Sequence, residues 1–224
     1  MTIRLTGKPK LLDLFCGGGG AAKGYIDAGF NVTGVDIVDH SEYYPAEFVQ
    51  DDAVDFVDAY FDQFDVIHAS PPCPRYSMIT PAASRENHPD LVEPTRAKLL
   101  MSGLPWVMEN VPGSPLRKDL VLCGSHFDLI QNDHLLKRHR IFELSGVSIP
   151  QPTCKCKDRK IAGIYGNLDN IGYKKYHNIK RGGVKFPIPA AKTIMGHDMP
   201  PKPLSQAIPA AYTRYIGKYL MQAI

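Results

Sequence analysis

The chemistry of this chain centres on Cys73, which stands in the run Ala69-Ser70-Pro71-Pro72-Cys73-Pro74-Arg75-Tyr76-Ser77, directly after the apolar segment Val66-Ile67-His68-Ala69. Proline fixes its own φ and pushes the preceding residue toward extended backbone, so the thiol is carried on a stiff loop at a strand end. A thiolate held that way can serve as a nucleophile. Two carboxylates have comparable settings, Asp36 after Phe30-Asn31-Val32-Thr33-Gly34-Val35 and Glu109 after Leu104-Pro105-Trp106-Val107-Met108. Groups at strand ends are placed where a ligand can be met. Cys16-Gly17-Gly18-Gly19-Gly20 adds a glycine loop, which lets backbone approach a ligand closely. The loop alone has two readings, a nucleoside-cofactor cradle or tight packing, and Gly17-x-Gly19-x-x-Ala22 also fits the dinucleotide fingerprint.

These groups need a scaffold that brings strand ends together. Lys10-Leu11-Leu12-Asp13-Leu14-Phe15 reads as a buried strand, and Ala21 to Ala28 as a helix that Gly29 stops. The next strand carries Asp36 at its end, which completes a βαβ unit. Glu47-Phe48-Val49-Gln50 reads as a short strand, and Val54, Val57 and Phe61 recur at helical spacing after Asp51-Asp52. That acidic pair either caps the helix or meets a ligand. Residues 65–69 form the strand that delivers Cys73, residues 77–93 a long loop suited to a lid, and residues 91–100 a helix that tolerates Pro94 and ends at Gly103. Asp36, Cys73 and Glu109 are thereby expected on one edge of a doubly wound, mostly parallel sheet, where open α/β sheets bind ligands.

Further along, Leu120-Val121-Leu122-Cys123-Gly124 reads as another strand, and residues 135–144 run a basic cluster into one more. Residues 145–189 change character, with prolines, glycines, the Cys154-Lys155-Cys156 pair and a basic, aromatic stretch from Tyr173 to Arg181, which is either a solvated loop or a face for nucleic acid. The chain therefore divides into a main domain of residues 1–144, a small loop-rich module of residues 145–189 and a segment of residues 190–224 that packs back on the sheet through Ile208, Tyr212, Ile216 and Leu220.

With 224 residues, 44% hydrophobic and 22% charged, the composition is that of a globular domain with one main core. There is no apolar run long enough for a membrane span and no signal-peptide core at the start, so a soluble, cytoplasmic protein, most simply a monomer, is expected. The net charge of +3 permits a polyanionic partner without requiring one. Five scattered cysteines do not form a disulfide framework, and Cys16 and Cys123 read as small buried hydrophobes. Cys154 and Cys156, even with His177, lack the second pair of a zinc site, so no metal is expected.

Taken together, the motifs resemble those of the DNA cytosine-5 methyltransferases. Asp13-Leu14-Phe15-Cys16-Gly17-Gly18-Gly19-Gly20 looks like that family's S-adenosylmethionine loop, Ser70-Pro71-Pro72-Cys73 like its nucleophile loop, Glu109-Asn110-Val111 like its glutamate motif and Arg138-His139-Arg140 like its paired arginines. Ile194-Met195-Gly196 and Ser205-Gln206-Ala207-Ile208-Pro209 are similar to its last two motifs. The resemblance implies a Rossmann-like fold that binds S-adenosyl-L-methionine through Asp13, Phe15, Gly17, Gly19, Asp36, Ile37, Asp52 and Pro72. It implies catalysis by Cys73, Glu109, Arg138 and Arg140, with Ser70, Pro71, Ser77, Asn110 and Val111 against the substrate. Cys73 would add to C6 of a cytosine flipped out of double-stranded DNA while Glu109 binds N3, and Arg140 would hold the base, supported by Arg138.

The chain departs from the family where Leu136 replaces a glutamine, where Ser205-Gln206 replaces a glycine-asparagine pair, and where Asp51 replaces a common glycine. The region between Leu144 and Ala190 is also short for target recognition, which implies a very short recognition sequence or an accessory protein. Rival readings are a catalytically idle DNA-binding regulator, the same chemistry on RNA, and a nicotinamide-dependent oxidoreductase. The regulator is opposed by the presence of both Cys73 and Glu109, and the oxidoreductase by the lack of a hydride-transfer constellation.

Overall fold

A computed structural model describes residues 7–78, 80–168 and 184–224. The chain opens with β1 (Lys10–Leu14), α1 (Gly20–Ala28) and β2 (Asn31–Asp36), then β3 (Glu47–Gln50), α2 (Ala53–Tyr60), β4 (Val66–Ala69), α3 (Val92–Ser102) and β5 (Trp106–Asn110). Punctuation in the sequence acts as expected. Gly29 takes the left-handed conformation, φ 108°, and its N–H closes on the last carbonyls of α1, while Asp52 caps α2 by accepting the Val54 and Asp55 amides. Pro94 falls in the first turn of α3, where a missing N–H costs nothing.

After β5 come β6 (Leu120–Leu122), a hairpin of β7 (Ile130–Gln131) and β8 (His134–Leu136), β9 (Arg140–Ser145), β10 (Ile161–Gly163) and β11 (Val184–Lys185). Asn132 and Asp133, both at positive φ, make the two-residue turn of the hairpin. Three helices follow, α4 (Ile188–Met195), α5 (Pro201–Gln206) and α6 (Ala210–Ala223). None of the helices is long and apolar enough to cross a membrane among the described residues.

Among the described residues, seven strands form one sheet in the order β3-β2-β1-β4-β5-β9-β6, parallel from β3 to β5 and antiparallel at β5-β9 and β9-β6. Side chains alternate faces, so Leu11 of β1, with Val32, Val66 and Val107, packs under Tyr25 of α1 and Tyr212, Ile216 and Leu220 of α6. Leu12 and Leu14, with Ile67, Trp106 and Met108, turn to the other face against Val57 of α2 and Leu99 of α3. The result is the expected α/β architecture of helices on both faces of a mostly parallel sheet.

Two expectations for strand boundaries are corrected. The basic cluster Lys137-Arg138-His139 does lead into a strand, β9 of the main sheet, but Leu135 and Leu136 before it belong to β8 of a second sheet, which among the described residues has the order β11-β10-β8-β7. The small module therefore shares its sheet with residues on the near side of Leu144. β5 also starts two residues later than expected and includes Glu109 and Asn110, because both pair with β9. A third apolar cluster, including Leu136, Ala162, Ile164 and Phe186, joins the second sheet to α4 and α5 through Ile194, Met195 and Leu204.

Candidate active site

Strand register alone aligns the site. Leu14 lies opposite both Val35 and Ala69, and Ala69 lies opposite Met108. The next residue on each strand is Phe15, Asp36, Ser70 or Glu109, so these four form a row along the carboxyl edge of the parallel strands. β9 runs the opposite way, with Ile141 opposite Asn110, so its first residue, Arg140, begins at that same edge. This explains how a basic pair remote in sequence from Cys73 reaches its loop.

Glu109 is buried, and its Oε1 lies 2.8 Å from Arg140 Nε. Burial pushes the Glu109 carboxyl above its ordinary pKa, while Arg140, Arg138 and a hydrogen bond from Ser70 pull it back. Behind Ser70 stands a pair that sequence reading missed. Tyr25 Oη is 2.9 Å from His68 Nδ1, and His68 Nε2 is 2.9 Å from Ser70 Oγ. Burial lowers the His68 pKa to about 3, so the ring is neutral, with one donor and one acceptor. With the Tyr25 hydroxyl donating to Nδ1, Nε2–H donates to Ser70 and the Ser70 proton is directed at Glu109. The only hint in the sequence was a histidine inside an otherwise apolar strand.

The Cys73 loop is fastened from both sides. Asn110 Nδ2 donates to the Pro71 carbonyl at 2.9 Å, and its Oδ1 accepts the Val111 amide at 2.8 Å. The amides of Tyr76 and Ser77 both donate to the Cys73 carbonyl at 3.0 Å, turning the chain just after the thiol. Burial raises the Cys73 pKa above its ordinary value, Glu109 adds to that, and Arg140 and Arg138 oppose it. The thiol therefore lies within the field of both arginines and the carboxylate. In the segment that follows, Arg75 donates to the carbonyls of Glu86 and His88, and residues 82–87 form a short 3-10 helix.

Arg138 is buried, and its two terminal nitrogens bind protein carbonyls, while its Nε has no partner among the described residues. It donates to the carbonyl of Ile164 and, at 3.0 Å each, to those of Ser205 and Gln206, while its own carbonyl accepts the Tyr212 hydroxyl at 2.7 Å. Burial, and then Arg140, push its pKa down to about 9. It thus ties the second sheet, α5 and α6 to the active-site edge, a positioning role. Because Ser205 and Gln206 contribute carbonyls, the departure of their side chains from the family pair does not affect this contact.

At the other end of the row, Asp36 Oδ2 accepts the Gly17 amide at 2.9 Å and Oδ1 the Val38 amide at 3.0 Å. Phe15, Gly17 and Gly19 have positive φ of 56°, 48° and 80°. Within the loop, a Cβ on Gly18 or Gly20 would strike Pro203 at 2.7 Å or the Ile208 carbonyl at 2.6 Å, so close packing accounts for those two glycines. Gly17 differs, since nothing lies within 4 Å of its Cβ position. Beside it, Ile37 and Val38 are 68% and 56% exposed apolar side chains next to the Asp36 carboxylate. Open backbone, a carboxylate for hydroxyls and apolar side chains to cover a ring fit a nucleoside-bearing cofactor. Asp13 is buried beneath the loop and accepts the Tyr44 hydroxyl at 3.1 Å, so it supports the loop from below. Asp52 lies two residues beyond Gln50, the partner of Asp36, and one of its oxygens is used in capping. The stretch from Tyr173 to Arg181, like His177, lies outside the described residues.

Comparison with solved structures decides the fold. A protein assigned as a DNA modification methyltransferase encoded within an E. coli prophage superposes with a TM-score of 0.60 at 16% identity, covering 96% of this chain and 99% of that one. The Entamoeba histolytica methyltransferase EhMeth gives 0.58 at 14%, covering 97% and 99%, and a mutant of Spodoptera frugiperda DNMT2 gives 0.61 at 14%, covering 96% and 100%. The chain has the fold of these methyltransferases. No protein-family model and no curated protein matches its sequence. At such low identity the likeness gives the methyltransferase fold for nearly the whole chain, and the residues above must carry the chemistry.

Proposed function

We propose that this methyltransferase-fold protein is an S-adenosyl-L-methionine-dependent cytosine-5 methyltransferase acting on double-stranded DNA. The observation that carries the reading is the row in which the buried Glu109–Arg140 pair and the Cys73 loop share an edge with Gly17 and Asp36. In this reading Gly17, Asp36 and Ile37 hold the cofactor's nucleoside, and Phe15 shapes the pocket. When bound, the cofactor supplies an electrophilic methyl group.

The protein's own residues make the ring reactive. C5 of cytosine is a poor nucleophile until the 5,6 double bond is opened. The Cys73 thiolate adds to C6, forming a C–S bond, while Glu109 hydrogen-bonds and protonates N3. The electron pair of the former double bond is then available at C5. A carboxyl with a raised pKa suits that donation. Arg140 holds Glu109 and the base, and Arg138 holds the segment that carries Arg140. After methylation a base removes the C5 proton, the double bond re-forms, Cys73 leaves as thiolate and the N3 proton returns to Glu109. C6 is stacked inside a duplex, so the base must be flipped out.

The test is transfer of a tritiated methyl group to DNA and to RNA by the wild type and by Cys73→Ser. The expected result is transfer to DNA that the variant loses. Transfer to RNA alone would replace the substrate, and DNA binding without any transfer would favour the regulator. The shortness of residues 145–189 supports a very short recognition sequence, read by bisulfite sequencing of plasmid from expressing cells. Methylation confined to sites of about four or more defined bases would count against it.

A further inference from the structure

We propose that Cys123, His139, Cys154 and Cys156 form a tetrahedral site for one structural zinc ion. Each offers one ligand atom, and the four atoms lie within 4.8 Å of one another. Cys154 Sγ is 3.3 Å from Cys156 Sγ and 3.5 Å from His139 Nε2, and Cys156 Sγ is 3.9 Å from His139 Nε2. A tetrahedron with zinc–sulfur bonds of about 2.3 Å and zinc–nitrogen bonds of about 2.0 Å has edges of roughly 3.5–3.8 Å. The three separations among Cys154, Cys156 and His139 bracket that value, and Cys123 Sγ lies within 4.8 Å of each of them. Three thiols and an imidazole are also a donor set that zinc favours over harder cations.

Convergence from separate parts of the chain argues for a common ligand. Cys123 follows the end of β6, His139 lies between β8 and β9, and Cys154 and Cys156 belong to the irregular segment before β10. Hydrogen bonding between the two neighbouring thiols would not require His139 or the buried Cys123. A Cys154–Cys156 disulfide would have sulfurs about 2.0 Å apart and would use neither of the others. An outer layer is present as well. Ser125 Oγ sits 3.4 Å from Cys154 Sγ and accepts the Lys155 amide at 3.1 Å, fixing the Cys154–Cys156 turn.

The site also has a place in the architecture. His139 stands between Arg138 and Arg140, so an ion that fixes His139 fixes the backbone carrying both arginines. It also pins the start of the small module to the edge of the main sheet. The signal in sequence is faint because the ligands lie at 123, 139, 154 and 156, without the second close pair of a familiar zinc motif.

The experiment measures metal, not methyl transfer, so it stands apart from the proposed activity. Untagged full-length protein, purified without chelator, is analysed for zinc by mass spectrometry and then, reduced and stripped, titrated with cobalt(II). About one zinc per chain is expected, together with the ligand-field and thiolate charge-transfer absorption of tetrahedral cobalt. Cys123→Ser and Cys154→Ser are expected to retain at least about tenfold less zinc, and Cys73→Ser as much as the wild type. The cobalt spectrum of the wild type serves if the cluster variants fail to fold. Zinc near zero together with octahedral or absent cobalt absorption overturns the proposal, as does a Cys154–Cys156 disulfide in freshly isolated protein.

Discussion

Replacing Tyr212 with phenylalanine removes one oxygen atom, and the structure says what that atom holds. The Tyr212 hydroxyl is fully buried and donates at 2.7 Å to the carbonyl of Arg138, the residue that gathers the Ile164, Ser205 and Gln206 carbonyls. Phenylalanine keeps the ring packed against Phe127, so no cavity larger than the oxygen is made. What remains is a buried carbonyl without its donor, a loss of about 1–3 kcal/mol. Taking about 2 kcal/mol, and about 2–4 °C per kcal/mol for a domain of this size, the melting temperature should fall by about 4–8 °C. Tyr215→Phe is the matched control. Its hydroxyl donates to the Pro150 carbonyl at 2.8 Å in an exposed setting, so water replaces it and the change should stay within about 0.5 kcal/mol. Thermal and urea unfolding followed by circular dichroism measure both. If Tyr212→Phe melts within about 1 °C of wild type, or if the two variants lose equally, the view of Arg138 as a buried tie between α6 and the active-site edge is refuted.

Three further outcomes are expected. In Gly24→Ala, the new Cβ would lie 2.1 Å from the Ala210 carbonyl and 2.1 Å from Thr213 Oγ1, so overpacking of about 3 kcal/mol outweighs the roughly 1 kcal/mol gain in helix propensity, and urea midpoints should fall accordingly. Asp13 is pushed from 3.8 to about 7, chiefly by burial, so its neutral form is native below that value and ionisation costs stability as pH rises from 3.8 to 7. Asp13→Asn should therefore match wild type near pH 4 and be the more stable by about 4 kcal/mol at pH 8, in urea titrations at the two pH values. Because Cys73 is raised above the ordinary thiol range, its alkylation by iodoacetamide, followed by peptide mass spectrometry, should climb about tenfold per pH unit through pH 8 without levelling.

The parallel half of the fold was legible because each strand from β1 to β5 is a short apolar run closed by a turn former or a charged residue. Gly29, Gly103 and Pro209 mark helix boundaries for backbone reasons that need no tertiary knowledge. The common edge of Asp36, Cys73 and Glu109 followed from the parallel sheet itself. The division of residues 135–144 was not legible, since no glycine or proline marks the break. It is set instead by Arg138 reaching carbonyls 26, 67 and 68 positions away. The Tyr25–His68–Ser70 chain escaped notice for a similar reason, because Tyr25 reads as an ordinary apolar position of α1 and its partner is 43 residues on.

The packing of α6 on α1 also bears on when the protein becomes itself during synthesis. Thr213 donates to the Ala21 carbonyl at 2.8 Å across 192 positions, and Ala210 closes over Gly24 in the same contact. One flank of the glycine loop is thus covered by residues that leave the ribosome long after the loop does. Contacts so far apart in sequence form late, after the cost of closing a long chain has been met. The nascent chain therefore emerges with this flank of the glycine loop uncovered, and the flank is closed only after α6 is free to dock.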